Sequence, residues 1–319
     1  MTVADVSAAA RRNQVPLGIA YMVGSTVMFA GGNAVVKWQL ATYPLGEVAF
    51  GRTLFAFLTV AAIVLPRAGW GVLRTRRYRE HLQRGLSQFG SMLCWFLAVS
   101  VLSLGSATAL GFAAPLFTTL LSIVILKEKV GIHRWSALMV GFVGVLMITH
   151  PGTGTLTYGA LFALGNAVLI STVAIAIRRM SMTESAETLT LYQMSIMTLC
   201  TAGLLTLGFQ APHLGDALML ALAGVGNGIA QFWWTRSLSL APPSAVVPFN
   251  YLSLVWAMIL GFAVWGDEPT PGLLVGSAIV VASGLYILWR ETVRHHRPAV
   301  PAGVVPPSGL RRALGTQGE

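Results

Sequence analysis

Long apolar runs broken by short polar interruptions extend along nearly the whole chain. A helix needs about 20 apolar residues to cross a bilayer, because a backbone in lipid must satisfy its own hydrogen bonds. Ten windows meet that need: 17–43, 45–65, 82–102, 106–126, 133–149, 156–177, 187–209, 214–239, 243–265 and 271–290. The interruptions are too short to hold a soluble domain. The pattern predicts an all-α integral membrane protein of ten transmembrane helices. A short segment, 1–16, precedes them, and a basic, proline-containing stretch, 291–319, follows with the composition of a disordered tail.

The motifs along these windows come twice. FAGGNAV (Phe29–Val35) in the first span returns as FALGNAV (Phe162–Val168) in the sixth, with six of seven letters kept. LKEKVGIHRWSALMVGFVGVLMI (126–148) matches WGDEPTPGLLVGSAIVVASGLYIL (265–288), and Glu128 and Glu268 each stand 16 residues before a glycine, Gly144 and Gly284. VLSLGSATA (101–109) resembles SLSLAPPSAV (237–246), and Arg52 in the second span aligns near Gln193 in the seventh. Matches kept in one order describe two five-helix repeats, 17–150 and 151–290. Five is odd, so the second repeat enters the membrane from the opposite side. Inverted repeats of this kind place a binding site between the halves, near the bilayer midplane.

Charge refines the picture. Only 10% of the 319 residues are charged, 55% are hydrophobic and the mean hydropathy is +0.70, whereas soluble domains are about a quarter charged. A net charge of +10 could suit nucleic acid. Position argues against it. With the N-terminus in the cytoplasm, Arg11, Arg12, the arginines of 67–84, Lys127, Lys129, Arg134, Arg178, Arg179, Arg236 and the tail arginines share one side. The positive-inside rule then sets both termini in the cytoplasm of a multi-pass protein of the cell inner membrane, with no nucleic-acid partner. The first window is too long for a signal-peptide core and is expected to remain as an anchor. Cys94 and Cys200 lie in apolar windows without metal-ligand spacing; they read as packing residues, and no metal or cofactor is called for.

With these residues in view, the chain resembles the drug/metabolite transporter superfamily, ten-helix EamA type. The resemblance rests on the doubled apolar-helix–Glu–helix–Gly motif closing each half, the Arg within LGEVAFGRTLFAFL (45–58) and the Tyr-Gln within TLTLYQMSIM (188–197), and covers residues 15–290. A proline expected in the fourth span is present as Pro115; its second-half equivalent falls near Val255, a departure. The resemblance implies movement of small organic solutes, often outward, with the aromatic amino-acid exporters as the expected subgroup. It also implies a cavity formed by spans 1, 3, 4, 6, 8 and 9.

Polar side chains inside a membrane are costly and face the bundle interior. Asn33 and Asn166, in the doubled motif, lie near the midplane. Asn227, Gln231 and Trp234 follow i, i+4, i+7 spacing, and Gln88, Met92 and Trp95 repeat it. These mirrored stripes of amide and aromatic are expected to line a substrate cavity, though interhelical bonding would ask for the same residues. Phe112 in the fourth span and Asn250 and Tyr251 in the ninth join them, with Pro115 and Pro248 as hinge candidates or static kinks. Lys37, one turn beyond Asn33, is expected to snorkel beside Trp38 or to meet a substrate carboxylate at the outer mouth. Arg52 reads as structural, with Glu47 or helix-end carbonyls as partners.

All eleven acids fall at helix ends, loops or termini, which disfavours proton-coupled exchange of cationic drugs. Glu128 and Glu268 are expected to cap short connections. The cavity so drawn is neutral, amide-lined and aromatic. It suits export of a small neutral or zwitterionic solute, such as an aromatic or large apolar amino acid, by alternating access; proton-coupled efflux of drugs or other metabolites is the alternative. Catalysis would need a converging nucleophile, base and acid, and all six histidines lie at helix ends, in loops or in the tail. An enzyme is therefore not expected. The partners expected are a small-molecule substrate and the lipid bilayer. Glycine-rich faces on the fifth and tenth spans could mediate a homodimer or serve internal packing equally well.

Overall fold

The structure is a computed structural model that describes residues 15–126, 132–149, 158–180, 183–240 and 243–295. Residues 1–14, Glu128 and the tail beyond 295 lie outside the described residues. Among the described residues the ten windows become twelve α-helices: α1 (Val15–Gln39), α2 (Leu45–Ala68), α3 (Tyr78–Val101), α4 (Leu104–Gly111), α5 (Ala114–Leu126), α6 (Ile132–Thr149), α7 (Tyr158–Met180), α8 (Ala186–Leu204), α9 (Leu214–Leu240), α10 (Pro243–Asn250), α11 (Leu252–Trp265) and α12 (Pro271–His295). No strand occurs among the described residues.

The two extra helices arise because the fourth and ninth spans are each broken midway. Pro115 has no N–H to offer the carbonyl one turn earlier. The chain passes the gap on three-residue turns, Ala113 N to Leu110 O at 3.0 Å and Leu116 N to Ala113 O at 2.9 Å. Ser171 on α7 donates to the Ala114 carbonyl at 2.8 Å. Pro248 sits inside α10, and Tyr251 bridges to α11 by the same tight geometry, Tyr251 N to Pro248 O at 3.3 Å. Elsewhere the ends are set by ordinary means. Ser103 and Ser185 cap α4 and α8 through their hydroxyls. Thr270, not Glu268, caps α12, accepting from Leu273 N at 3.2 Å.

Among the described residues, seven segments are long and apolar enough to cross a membrane, and two shorter apolar helices, Trp135–Thr149 and Pro271–Ile287, accompany them. α3 has the length but carries Arg84 and Gln88, which lower its hydropathy. Large apolar side chains such as Val140, Leu222 and Ile259 point outward, and polar ones collect inside. That is the arrangement lipid requires, since an apolar face costs nothing there and a polar face does.

The packing maps onto itself when the halves are exchanged. α1 runs along α9 as α3 runs along α7; α2 meets α8, and α6 meets α12. The last contact is the tightest: a Cβ on Gly276 would lie 2.7 Å from the Gly144 carbonyl, and one on Gly144 2.8 Å from the Gly276 carbonyl. These glycines of the fifth and tenth spans therefore face each other inside the chain, where small residues let backbones touch.

Candidate functional site

A cavity of about 600 Å³ opens between the halves. α3 lines it with Gln88, Met92 and Trp95, α9 with Asn227, Gln231 and Trp234, α7 with Asn166 and α10 with Asn250. Both expected stripes thus face one space because α3 and α9 hold equivalent places in the duplicated packing. A second cavity of about 370 Å³ holds Asn33, Phe112 and Pro115. Phe29, Trp95, Asn166, Ile170 and Asn250 border both and form a collar between them. Asn166 is also an interhelical tie, its Nδ2 donating to the carbonyl and hydroxyl of Ser91, each at 2.9 Å.

Three sequence-predicted residues stand elsewhere. Tyr251 lines neither cavity: its ring packs on Phe112 with centroids 4.7 Å apart, and its hydroxyl lies against Gly284. Pro248 lines neither as well. Lys37 lines neither cavity and does not snorkel freely. Its Nζ donates to Leu102 O at 2.9 Å, pairs with Asp267 Oδ2 at 3.5 Å and sits 4.9 Å from the Trp265 ring centroid. The fold supplies both an acid and a carbonyl within reach, so the ammonium is satisfied inside the protein.

Two arginines change the chemistry of the larger cavity. Arg52 lines it, and its Nη2 donates to Asn227 Oδ1 at 2.9 Å while the guanidinium lies 5.5 Å from the Phe96 ring centroid. Glu47, the partner expected from sequence, instead accepts from Gln210 N at 3.0 Å. Arg84, counted from sequence with the loop cations, is only 4% exposed. It donates to Leu189 O at 2.7 Å and to Gln193 Oε1, and it too lines the cavity. A signal for Arg84 was present, since it stands one turn before Gln88 and continues that stripe. No acidic residue among the described residues lines either cavity. The expected neutral cavity is therefore a cationic one.

The two faces of the protein differ. The larger cavity runs to Ile177, Leu189, Thr190 and Thr235, near the helix ends on the face where α1 and α3 begin. On the opposite face Lys37, Leu102 and Trp265 lie just outward of Asn33, Leu104 and Ala257, which line the smaller cavity, and join α1 to the end of α11. A second tie lies beside them in the loop after α1. Tyr43 donates to Asp216 Oδ2 at 2.6 Å, and Gln39 Nε2 donates to Asp216 Oδ1 at 3.3 Å. The hydrogen bond to Asp216 raises the Tyr43 phenol above its ordinary 10.0.

A duplicated helical membrane fold around a polar interior cavity, reached from one face and tied shut at the other, is the architecture of a solute carrier. The profile of the EamA-like transporter family matches residues 16–150 and again 157–289, and the chain belongs to that family. It is a multi-pass membrane transporter, not an enzyme. Its relatives include a riboflavin transporter of Rhizobium johnstonii, 28% identical over 92% of this chain and 98% of the relative. An S-adenosylmethionine uptake transporter of Rickettsia bellii is 25% identical over 86% and 94%. A pseudopaline exporter of Pseudomonas aeruginosa is 27% identical over 83% and 94%. None of the three is named for aromatic amino-acid export. A solved crystal structure, 18% identical and covering 86% of this chain and 98% of its own, superposes with a TM-score of 0.61 and shares the fold.

Proposed function

We propose that this transporter carries a small heteroaromatic metabolite of the flavin type across the inner membrane, by rocking of repeats 17–150 and 151–290 about the central cavity, with both termini in the cytoplasm. One observation carries the proposal: the larger cavity joins two indoles, Trp95 and Trp234, to six amides and two guanidinium groups, with no carboxylate among the described residues. Indole faces suit a flat apolar ring system, and amide and guanidinium donors suit its carbonyls and hydroxyls. Its volume of about 600 Å³ lies within the usual range for small-molecule sites, about 300–1,000 Å³. The riboflavin transporter among the relatives is consistent with such a cargo. The S-adenosylmethionine transporter is a weaker guide, because a sulfonium cation would meet two buried cations and no acid. An aromatic amino acid is a second reading, favoured by the same arginines, which could receive its carboxylate.

The test is flux in proteoliposomes of the full chain, with labelled riboflavin, tryptophan and S-adenosylmethionine, first without and then with a pH gradient. Saturable riboflavin flux without a gradient is the expected result, since no acid among the described residues lines either cavity to trade protons. No saturable riboflavin flux under either condition would overturn the proposal. Tryptophan flux in its place would restore the amino-acid reading.

A further inference from the structure

We infer that the cargo bears an anionic group, a carboxylate or a phosphate, and that Arg52 is the residue that selects it. This rests on the larger cavity being the transport site. Arg52 and Arg84 are 9% and 4% exposed, and among the described residues neither has a carboxylate within ion-pairing distance. Their partners are neutral: Asn227 for Arg52, and Leu189 O with Gln193 for Arg84. The Nε of each arginine is buried without a hydrogen-bond partner. Such a group is costly in a low-dielectric interior unless a counter-charge arrives, and a guanidinium presents a fork that fits carboxylate and phosphate oxygens. Ionisable groups within spans mark transport paths for the same reason.

The two arginines act at different depths. Arg84 and Phe96, over which Arg52 lies, are twelve residues apart on α3, a rise of about 18 Å. One anion cannot bridge them. Arg84 stands near the open face, where a positive potential draws an anion inward. Arg52 stands deep, beside Asn227, one turn from Gln231 and two from Trp234 along α9. An anion on Arg52 leaves the aromatic body of the cargo to the indoles. A cation of similar shape finds no acid in the cavity to balance it.

The experiment is calorimetric titration of the purified full-length protein with two matched pairs of probes. Riboflavin is compared with riboflavin 5′-phosphate, and N-acetyltryptophanamide with N-acetyltryptophan. Hydrogen bonds to a charged group predict that the anionic member of at least one pair binds about tenfold tighter or more. Preference in the flavin pair alone identifies phosphate, in the tryptophan pair alone carboxylate, and in both an anion of either kind. Arg52→Gln should bring the members of a pair to within about twofold of each other, whatever it does to the affinity of the neutral member, and Arg52→Lys should restore part of the preference. Because Arg52 also joins α2 to α9, gel filtration checks that the variants fold, and the wild-type comparison stands without them. Equal affinities within both pairs, or no binding by any probe, would overturn the inference. So would a preference that survives Arg52→Gln. Riboflavin binding without anion preference would leave the flavin proposal standing alone; anion preference only among the tryptophan probes, with no flavin binding, would do the reverse.

Discussion

Removing the Lys37 ammonium should open the face that the structure shows tied. Lys37 makes three contacts, but they do not weigh equally on rocking. Leu102 lies in the same repeat as Lys37, so its 2.9 Å bond travels with it. Asp267 and Trp265 lie in the other repeat, and those contacts must break for the halves to part. The ion pair is 3.5 Å long with side chains 13% and 31% exposed, so solvent screens it and about 0.5–1 kcal/mol is a fair value. The contact with the Trp265 ring adds about 0.5–1 kcal/mol. Lys37→Met keeps the stem and loses both, about 1–2 kcal/mol, which shifts the ratio of open to tied far faces by about 5- to 30-fold. The assay places a cysteine at Asn33 in the smaller cavity, in a chain whose Cys94 and Cys200 are replaced by alanine. A membrane-impermeant thiol reagent is then applied from the far face, and Lys37→Met should label faster by that factor. A rate within about twofold of the Lys37 protein would show that these contacts do not hold the face shut.

Three further outcomes follow from the same geometry. Gly276→Val drives a side chain into the Gly144 carbonyl and should cost about 1–3 kcal/mol, seen as a lower melting temperature in detergent, while Gly31→Ala, with nothing within 4 Å, should melt as wild type. The raised pKa of Tyr43 means that its bond to Asp216 contributes fully below pH 10.0 and is lost as pH rises through the higher folded value. Wild-type melting should therefore decline on alkaline titration above that point, and Tyr43→Phe should flatten the decline; parallel profiles would remove the tie from the account. Trp234→Ala deletes an aromatic face of the larger cavity and should cut flux of the true cargo about tenfold or more with elution on gel filtration unchanged, and full activity would exclude the α9 stripe from the path.

The spans were legible because bilayer thickness imposes a length and a composition that a window can count. The stripes on α3 and α9 were legible because helical periodicity puts i, i+4 and i+7 on one face. Three things were not. The breaks at Phe112 and Tyr251 sit within continuous apolar runs, and hydropathy is blind to a missing hydrogen bond; the prolines marked the neighbourhood without fixing the turn. Arg84 was counted by sign and side, and its burial depends on Leu189 and Gln193, which lie 105 and 109 positions away in sequence. Lys37 looked free because Asp267, its partner, is 230 positions distant. The last two misses concern a charge with a partner in the other repeat.

The duplication has a final consequence. Arg52 is the eighth residue of α2, and the eighth residue of α8, its counterpart, is Gln193. Two identical repeats related by inversion would make the inward-facing and outward-facing forms equivalent by a two-fold rotation, and so equal in energy. A guanidinium on one repeat and an amide on the other lift that degeneracy, because the positive charge travels with one half only. Solute gradients still set the direction of net movement. In the proposed rocking cycle, the lopsided pair would bias how long the empty carrier waits on each side.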